Sequence, residues 1–281
     1  MKKVSIMMPT YNAMPLLKAS IESIMNQTYT NWECVIVNDG STDETGRYLD
    51  SLTDSRFVIY HFEQNQGRPK ARQQALNMTT GDYITMLDAE DLMAPNRLEL
   101  QVKVLEENPE ISLVSSSMCS FGTKTNLTRV RGAKKFQVLT FDGDYCPIHA
   151  ASMLYGEQAR RLEYNPMMKF GQDRDFLERY LKGKKFAEMP DVLYYYSEFD
   201  SVNKRKIERT YKLNAKKYIK EHKVKASIIA SLKYLYSLMV FPFVPIESIL
   251  LKRGRVLMME QEKAYAKDCK SIVDKILKSS K

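Results

Sequence analysis

An alternation of short strand-like runs with helical patterns over the first 118 residues limits the folds open to this chain. The strand-like runs lie at 4–9, 33–39, 57–62, 83–88 and 111–118, and the helical patterns at 16–27, 43–52, 69–78 and 96–107. This order predicts an α/β fold with a doubly wound, mostly parallel sheet and helices on both faces. In such sheets ligands bind at the carboxyl ends of the strands.

The alternation stops after residue 118. Residues 119–147 are polar and basic, which is typical of a mobile loop or an edge hairpin. A strand at 149–156, a helix at 172–183, and a strand, turn and second strand at 186–198 are then expected to extend the sheet into a second lobe. From residue 207 the pattern is helical, interrupted by the stretch FPFVP at 241–245.

Composition excludes several other classes of protein. A chain of 281 residues with 44% hydrophobic and 27% charged residues is an ordinary folded protein with one large or two small domains. Its four cysteines form no Cys-x-x-Cys pair, so neither a zinc site nor a disulfide framework is indicated. No window holds 18 uninterrupted apolar residues, and Pro9 ends the first apolar run. The N-terminus is therefore expected in the cytoplasm.

Positive charge is concentrated at the C-terminal end. Residues 207–281 hold 17 Lys and Arg against 7 Asp and Glu, a net charge of +10. The preceding 206 residues hold 26 against 27, so the main body is nearly neutral. The tail is thus a basic appendage.

Four polar clusters follow predicted strands. They are PTYN at 9–12, NDGSTDE at 38–44, NQGRPKAR at 65–72 and DAED at 88–91. Each has an ordinary structural interpretation, as turn residues or as the start of a helix. Strand ends of one doubly wound sheet share an edge, so the four clusters are expected to converge on one crevice.

The DAED cluster holds more acid than a helix N-terminus needs. Two carboxylates two positions apart offer oxygen ligands to one hard divalent cation such as Mg²⁺ or Mn²⁺. Arg72, one turn into the helix that follows Gly67, is placed to meet an anion such as a phosphate.

These motifs, in this order, resemble those of family 2 glycosyltransferases with the GT-A fold. The similarity runs through VSIMMPTYN, VIVNDGSTDET, NQGRPKARQQAL and GDYITMLDAEDLMAPNRLE, closely over residues 1–118 and more loosely over 145–200. The resemblance implies an inverting transfer of a sugar from a nucleotide donor. It implies a nucleotide-sugar site made by Pro9, Thr10, Tyr11, Asp39, Arg72, Asp88 and Ala89.

The resemblance also implies a cofactor and a base. Glu90 stands where the family more often has the Asp that binds Mn²⁺ or Mg²⁺, and Asp88 would lie beside it. Asp173, in the stretch GQDRDF, matches the catalytic base, with Gln172 in place of a Glu. Burial is expected to raise the pKa of the base toward the working pH. His149 matches a position near the acceptor, although a packed core histidine is an equal alternative.

One departure from the family concerns the diphosphate. After the strand LYYY the family often has an Arg and a His, whereas this chain has Ser197 and Phe199 near those places. Lys204, Arg205 or Lys206 would be substitutes, or the activity is diminished.

The tail combines apolar and basic residues. Residues 227–251 are rich in aliphatic and aromatic side chains, and the stretch KRGR follows at 252–255. Helices lying on an anionic membrane surface would account for both. The alternative is a hairpin whose stripe packs on the catalytic domain or on a second subunit, giving a homo-oligomer. That stripe consists of Val224, Ile228, Leu232, Leu235 and Met239. No nucleic-acid module is recognisable, so nucleic acid is not the expected partner.

The sequence therefore predicts a metal-dependent glycosyltransferase in three segments: a nucleotide-sugar domain at 1–118, an acceptor and base segment at 119–203, and a basic helical extension at 204–281. A UDP-sugar donor, a glycan or lipid-linked acceptor, and a place on the inner face of the cell membrane in cell-surface polysaccharide synthesis are expected. The alternative is a nucleotide-sugar-binding or scaffold protein of the same fold with weak or no activity.

Overall fold

The first 120 residues fold as the alternation predicts. The computed structural model describes residues 1–122, 129–143, 145–168, 171–198, 203–220, 222, 224–251, 271, 274, 275 and 278. The elements up to residue 120 are β1 (Val4–Thr10), α1 (Leu16–Met25), β2 (Trp32–Asn38), α2 (Thr45–Asp50), β3 (Phe57–His61), α3 (Arg68–Met78), β4 (Tyr83–Met86), β5 (Leu92–Met93), α4 (Arg97–Glu107) and β6 (Ile111–Ser120).

The remaining described elements complete the sheet and add a helical extension. They are β7 (Arg129–Arg131), β8 (Gln137–Thr140), β9 (Ser152–Tyr155), α5 (Gly156–Ala159), α6 (Gln172–Leu181), β10 (Lys185–Tyr196), α7 (Lys204–Lys220), α8 (Val224–Val240), a 3₁₀ turn (Phe241–Phe243) and α9 (Ile246–Leu251). The described residues of the segment expected to be a loop or edge hairpin, 119–147, contain two short strands, and residues 123–128 and 144 lie outside the described part.

One sheet contains all ten strands of the described residues. Its order is β3-β2-β1-β4-β9-β6-β10-β5, with β7 paired to β6 and β8 paired to β10. The first four are parallel, and Val4 is opposite both Trp32 and Tyr83. β9 is antiparallel to both β4 and β6. The predicted α/β class is confirmed, but β9 enters the middle of the sheet and does not extend its edge.

The core on one face of this sheet is packed by α3 and α6. Met7, Val35 and Met86 are register neighbours on adjacent strands and belong to the same apolar cluster. Ala75 of α3 and Phe176 of α6 belong to the cluster as well. Strands β1 and β2 are buried along almost their whole length, as parallel strands covered on both faces must be. This packing fixes the strand ends at which the polar clusters lie.

The predicted turn within residues 186–198 is wrong. Residues Lys185–Tyr196 form one continuous strand that contains Pro190. On the edge of β10 away from β6, the pairing with β8 ends at Glu188 and the pairing with β5 begins at Tyr194. Proline lacks an N–H group and is tolerated where no neighbouring strand needs one. The strand therefore passes through Pro190 without a turn.

The described residues fall into two compact units. The first is drawn from Met1–Cys119, Val130–Tyr196 and Leu257–Lys281, and the second from Ser120–Arg129 and Ser197–Val256. The first unit contains most of the sheet and all the polar clusters at strand ends. The division of the chain into functional segments stays a prediction.

The second unit contains a helical hairpin of α7 and α8. Its small core consists of Ile207, Phe241 and Ile249. Lys212 Nζ lies 5.9 Å from the ring centre of Tyr234 across the hairpin. Residues Val224–Phe243 form a helical segment long and apolar enough to cross a membrane. Two lysines, Lys225 and Lys233, interrupt the apolar run of this segment without ending the helix.

Candidate active site

The loops after β1 and β2 are joined by hydrogen bonds at the carboxyl edge of the sheet. Asp39 N, just after β2, donates to Thr10 O at the end of β1 at 2.8 Å. Asn12 N donates to Ser41 Oγ at 2.9 Å, and Thr42 N donates to Asn12 Oδ1 at 2.8 Å. These bonds give the convergence that a doubly wound sheet predicts.

Asp39 ties the loop after β2 to the loop after β3. Its buried carboxylate accepts hydrogen bonds from Gln66 N at 2.6 Å and Gly67 N at 3.0 Å. The two loops approach so closely that a Cβ on Gly40 would lie 2.4 Å from the backbone carbon of Gln64. The φ of Gly40 is +67°, which also favours glycine. Asp39 thus holds the start of α3 in place.

The acidic loop after β4 divides into different roles. Asp91 is buried and accepts a hydrogen bond from Tyr194 Oη, and Asp91 N closes a turn on Asp88 O at 2.9 Å. Ala89 is buried, and its carbonyl accepts from Ser20 Oγ of α1 at 2.8 Å. Asp88 and Glu90 are only partly buried. Two carboxylates of the cluster are therefore accessible, while Asp91 belongs to the framework.

Arg72 joins the acidic loop to α6. It lies in the first half of α3, and its side chain is 3% exposed. Its guanidinium hydrogen-bonds Asp173 through Nη1 and lies 3.6 Å from Asp88 Oδ1 through Nη2. Arg72 Nε is buried and has no hydrogen-bond partner among the described residues. One buried cation thus connects two carboxylates that are 85 positions apart in the sequence.

Asp173 is positioned by the first turn of α6, which begins after Gly171 in the left-handed conformation. Its side chain is 43% exposed, whereas Gln172 is buried and accepts from Arg72 Nη1 at 3.4 Å. Asp175, in the same turn, pairs with Arg179 at 2.7 Å. Among these acids only Asp173 reaches the crevice edge through Arg72.

The expected rise in the pKa of Asp173 is wrong for the ligand-free protein. Burial raises the pKa of this carboxyl, but the charge of Arg72, followed by His149, Arg68 and the hydrogen bond from Arg72, holds it below its usual range. Asp173 is therefore ionised at neutral pH and is only a weak proton acceptor while Arg72 is its partner.

His149 lies behind Asp173. Its Nδ1 is 3.8 Å from Asp173 Oδ1, and its Nε2 is 3.2 Å from Tyr164 Oη. The ring packs edge-on against Tyr164 and Phe176. Burial lowers the pKa of His149, so the ring is neutral at pH 7. His149 is therefore a packed residue, which is one of the two alternatives that the sequence left open, and its position near the acceptor stays a prediction.

The residues present suit a hard divalent cation only in part. Within the described residues, no three His, Cys, Asp or Glu side chains come together as a metal site. Asp88 and Glu90 supply two carboxylates, so other oxygen atoms, such as those of a diphosphate and water, would have to complete the shell. Mg²⁺ and Mn²⁺ are commonly held in this way, with few protein ligands.

The other predicted residues take varied positions. Pro9 and Thr10 end β1, and Thr10 Oγ1 is buried without a hydrogen-bond partner among the described residues. Tyr11 follows them with 49% of its surface exposed, as a residue that stacks on a ligand would be. Ser197 is buried, and Phe199 lies outside the described residues.

Three residues that sequence reasoning missed support the site. Arg97 is fully buried and donates to Met86 O at 3.1 Å and Thr85 Oγ1 at 2.5 Å, with its guanidinium 5.2 Å from the ring centre of Tyr194. Tyr194 also accepts from Asp88 N at 3.3 Å. Tyr164 carries the hydroxyl that meets His149. Only Tyr194 had a signal, because it lies in the run of three tyrosines that ends its strand.

Comparison with known proteins agrees with this arrangement. A family model described as Glycosyl transferase family 2 matches residues 5–168, more than half of the chain. The uncharacterized glycosyltransferase MJ1057 of Methanocaldococcus jannaschii is 28% identical over 256 residues, 86% of this chain and 88% of the relative. The E. coli UDP-Glc:alpha-D-GlcNAc-diphosphoundecaprenol beta-1,3-glucosyltransferase WfgD is 39% identical over 105 residues, 37% of this chain and 42% of the relative.

The match covers only part of several relatives. It spans 15% of a 39% identical Rickettsia bellii glycosyltransferase. Among solved structures, S. aureus TarS 1-349 in complex with UDP-GlcNAc has a TM-score of 0.61 at 18% identity, covering 90% of this chain and 76% of that one. The mannosyltransferase PcManGT from Pyrobaculum calidifontis, in complex with GDP-Man and Mn²⁺, has a TM-score of 0.58 at 18% identity, covering 86% and 71%. At such identities the likeness shows a shared fold.

Proposed function

Because the chain belongs to glycosyl transferase family 2 and has the GT-A fold, we propose that it transfers a sugar, with inversion, from a nucleoside diphosphate to a hydroxyl group. The observation that carries the proposal is the link through Arg72 between the acidic loop and Asp173. It brings the acidic loop, which we propose binds the diphosphate, and a solvent-accessible carboxylate to one edge of the sheet. The site that binds the departing diphosphate and the carboxylate that takes the proton of the acceptor hydroxyl must lie close together, because both act on the same transfer step.

Each predicted residue has a role in this reaction. The pocket for the nucleobase is lined by Pro9, Thr10 and Tyr11. Asp39 contacts the nucleobase from the loop junction that it stabilises. Arg72 lies by the phosphates, and Asp88 and Ala89 by the ribose. Asp88 and Glu90 would hold Mn²⁺ or Mg²⁺, which when bound supplies positive charge to the departing diphosphate. His149 and Gln172 border the acceptor.

In the transfer step, the acceptor hydroxyl gives its proton to an oxygen of Asp173. The hydroxyl oxygen forms a bond to the anomeric carbon as the bond from that carbon to the diphosphate oxygen breaks. The electron pair of that bond leaves with the nucleoside diphosphate, and the configuration inverts. The side chain of Asp173 is accessible enough to meet a hydroxyl in solution.

A UDP-sugar donor and a glycan or lipid-linked acceptor are the proposed substrates. WfgD is named for a UDP-glucose donor and a diphosphoundecaprenol-linked acceptor. TarS was solved in complex with UDP-GlcNAc. A further relative, WcaA of E. coli, is named as a putative colanic acid biosynthesis glycosyl transferase. These names support a role in the synthesis of cell-surface polysaccharide.

A panel of melting temperatures tests the donor site directly. Nucleoside diphosphates and nucleotide sugars should raise the melting temperature, and Mn²⁺ should increase that effect. Glu90→Gln should lose most of the increase due to Mn²⁺, whereas Glu63→Gln, an exposed carboxylate elsewhere, should retain it. If no nucleotide changes the melting temperature, the donor site is wrongly assigned. Nucleotide binding without turnover on any acceptor would favour the scaffold alternative.

We also propose that the α7–α8 hairpin holds the protein on the cytoplasmic, anionic face of the cell membrane. The predicted stripe of α8 faces solvent, with its members 54–74% exposed: Val224, Ile228, Leu232, Leu235 and Met239. The buried residues of α8, Ala230 and Ser237, lie on the opposite side. Large exposed apolar surfaces on a folded protein mark interaction sites.

The charge of the hairpin favours an anionic lipid surface as the occupant. Residues 204–243 contain 11 Lys and Arg against 2 Asp and Glu, so the hairpin alone has the net charge of the whole chain, +9. A basic residue near an anionic leaflet contributes about 1 kcal/mol. A second copy of the same chain would carry the same positive charge and repel it.

Vesicle binding separates the two occupants. Vesicles with anionic lipid should sediment the full chain, and Leu232→Glu with Met239→Glu should abolish this. Tyr60→Glu, on the exposed strand β3, is the matched control and should still sediment. Equal sedimentation of all three proteins would exclude the hairpin as the membrane site. A dimer that the paired substitutions dissociate, without vesicle binding, would instead show a homo-oligomer.

A further inference from the structure

Arg72 is placed between the two halves of the proposed reaction. Its guanidinium meets Asp88 on the donor side and Asp173 on the acceptor side. Arg72 is 3% exposed, whereas the Asp173 side chain is 43% exposed. A carboxylate that the solvent can reach is therefore paired with a cation that is almost entirely buried.

A buried cation of this kind exchanges partners more easily than it loses one. Removal of one member of a buried ion pair is strongly destabilising, because an unpaired charge stays behind. A diphosphate offers several anionic oxygens, and arginine binds such groups through paired N–H donors. Arg72 Nε already lacks a hydrogen-bond partner among the described residues. An incoming diphosphate can therefore take over Arg72 without leaving its charge unpaired.

We infer that Arg72 is a positioning residue that couples donor binding to the base. In the ligand-free chain it occupies the carboxylate of Asp173, and a bound diphosphate replaces that carboxylate as its partner. Asp173 is then free to accept the proton of the acceptor hydroxyl. The inference rests on the proposed transferase function, and it adds an order of events: the base becomes competent only after the donor has bound.

No other group named here as facing Asp173 can hold its carboxylate as a buried positive charge. From α3, Arg68 lies on the exposed side of the helix. From the segment before β9, His149 is neutral at pH 7 because burial lowers its pKa. Cys146, in the same segment, has a pKa raised by burial to about 12, so it carries no charge. Gln172, the helix neighbour, is an amide. Arg72 is therefore the buried positive charge that controls Asp173.

The consequence is a change in basicity. While Arg72 is its partner, the pKa of Asp173 is held below its usual range. Loss of that partner leaves burial, which raises the pKa, as the main influence. A general base works best when its pKa approaches the working pH. Partner exchange would thus make Asp173 a better base at the moment when the donor is in place.

Carbon NMR of the full chain, labelled at aspartate Cγ, measures this without turnover. The signal of Asp173 is identified by its absence in Asp173→Asn, and its pH titration is followed with and without inorganic pyrophosphate. The midpoint of Asp173 should rise when pyrophosphate binds. It should already be raised in ligand-free Arg72→Gln, which should respond to pyrophosphate less than the wild type does.

Two further variants keep the test decisive. Lys70→Gln removes a positive charge from the exposed side of the same helix. In this variant Asp173 should titrate as it does in the wild type. Arg72→Lys keeps the positive charge, so the pKa of Asp173 should stay below its ordinary value in this variant. The variant therefore tests the coupling even if Arg72→Gln fails to fold. The coupling is refuted if the titration midpoint of Asp173 is the same in Arg72→Gln as in the wild type. It is also refuted if, in Arg72→Lys, Asp173 titrates at the ordinary aspartate value. Because no step requires turnover, this failure is distinct from a failure to find transferase activity.

Discussion

Replacement of Asp39 by asparagine should destabilise the protein as well as the proposed nucleotide site. The carboxylate accepts two backbone N–H groups, from Gln66 and Gly67, in a buried junction of two loops. An asparagine side chain has one acceptor oxygen, so it can satisfy only one of them. Its amide nitrogen would face the other N–H group, donor against donor.

The magnitude follows from the lost bond. A hydrogen bond to a charged acceptor contributes about 1.5–3 kcal/mol, and an unsatisfied buried donor costs a similar amount. We therefore expect Asp39→Asn to lower the free energy of unfolding by about 1.5–3 kcal/mol. For a unit of this size that corresponds to a fall of about 3–12 °C in melting temperature.

Thermal unfolding followed by circular dichroism measures the fall. Glu63→Gln makes the same chemical change at an exposed carboxylate in the loop after β3 and should leave the melting temperature unchanged. A melting temperature for Asp39→Asn equal to that of Glu63→Gln would contradict the stabilising role of the Asp39 carboxylate. It would show that the junction is held by the backbone and not by the carboxylate.

Three further outcomes are expected. Tyr194→Phe, which removes the hydrogen bond to buried Asp91, should cost about 1.5–3 kcal/mol in thermal unfolding, and an unchanged stability would contradict the framework role of Asp91. Burial alone would raise the pKa of Glu33, but hydrogen bonds from Lys3, Ser5 and Thr80 hold it below the ordinary value. The stability that the ionised carboxylate gives the folded protein is therefore lost as the pH falls through the folded-state pKa. Glu33→Gln should therefore flatten the fall in melting temperature between about pH 5 and pH 3, and an unaltered profile would argue against it. Cys34 is fully buried and its thiol pKa is raised, so iodoacetamide at pH 8 should label it only after unfolding, as peptide mass spectrometry would show.

The parallel half of the fold could be predicted because its signals are local. Strands buried on both faces are continuous apolar runs, and each helix between them has its own periodicity. Strand β9 could not be placed in this way, since its antiparallel position between β4 and β6 is set by packing across the sheet. The turn expected within residues 186–198 was wrong for the same reason, because only the pairing of neighbouring strands shows that the missing N–H of Pro190 is not needed.

The candidate site shows a similar division. The strand-end clusters and Asp173 could be identified as candidates from residue type and order. The connection of Arg72 to both carboxylates could not, because it joins a helix after β3 to a helix 100 residues later. The direction of the Asp173 pKa depends on that contact. Burial and a neighbouring charge oppose each other there, and sequence alone does not show which is larger.

The most direct test of the account compares Asp173→Asn with the wild type in donor turnover. Asparagine cannot take the proton of the acceptor hydroxyl, and a general base contributes about 10²–10⁴-fold to the rate. Release of nucleoside diphosphate in the presence of acceptor should fall by about that factor, while the nucleotide-dependent rise in melting temperature persists. Asp175→Asn, in the same helical turn, should remain near the wild-type rate. Undiminished turnover by Asp173→Asn would contradict the assignment of the base, and with it the proposed reaction at this site.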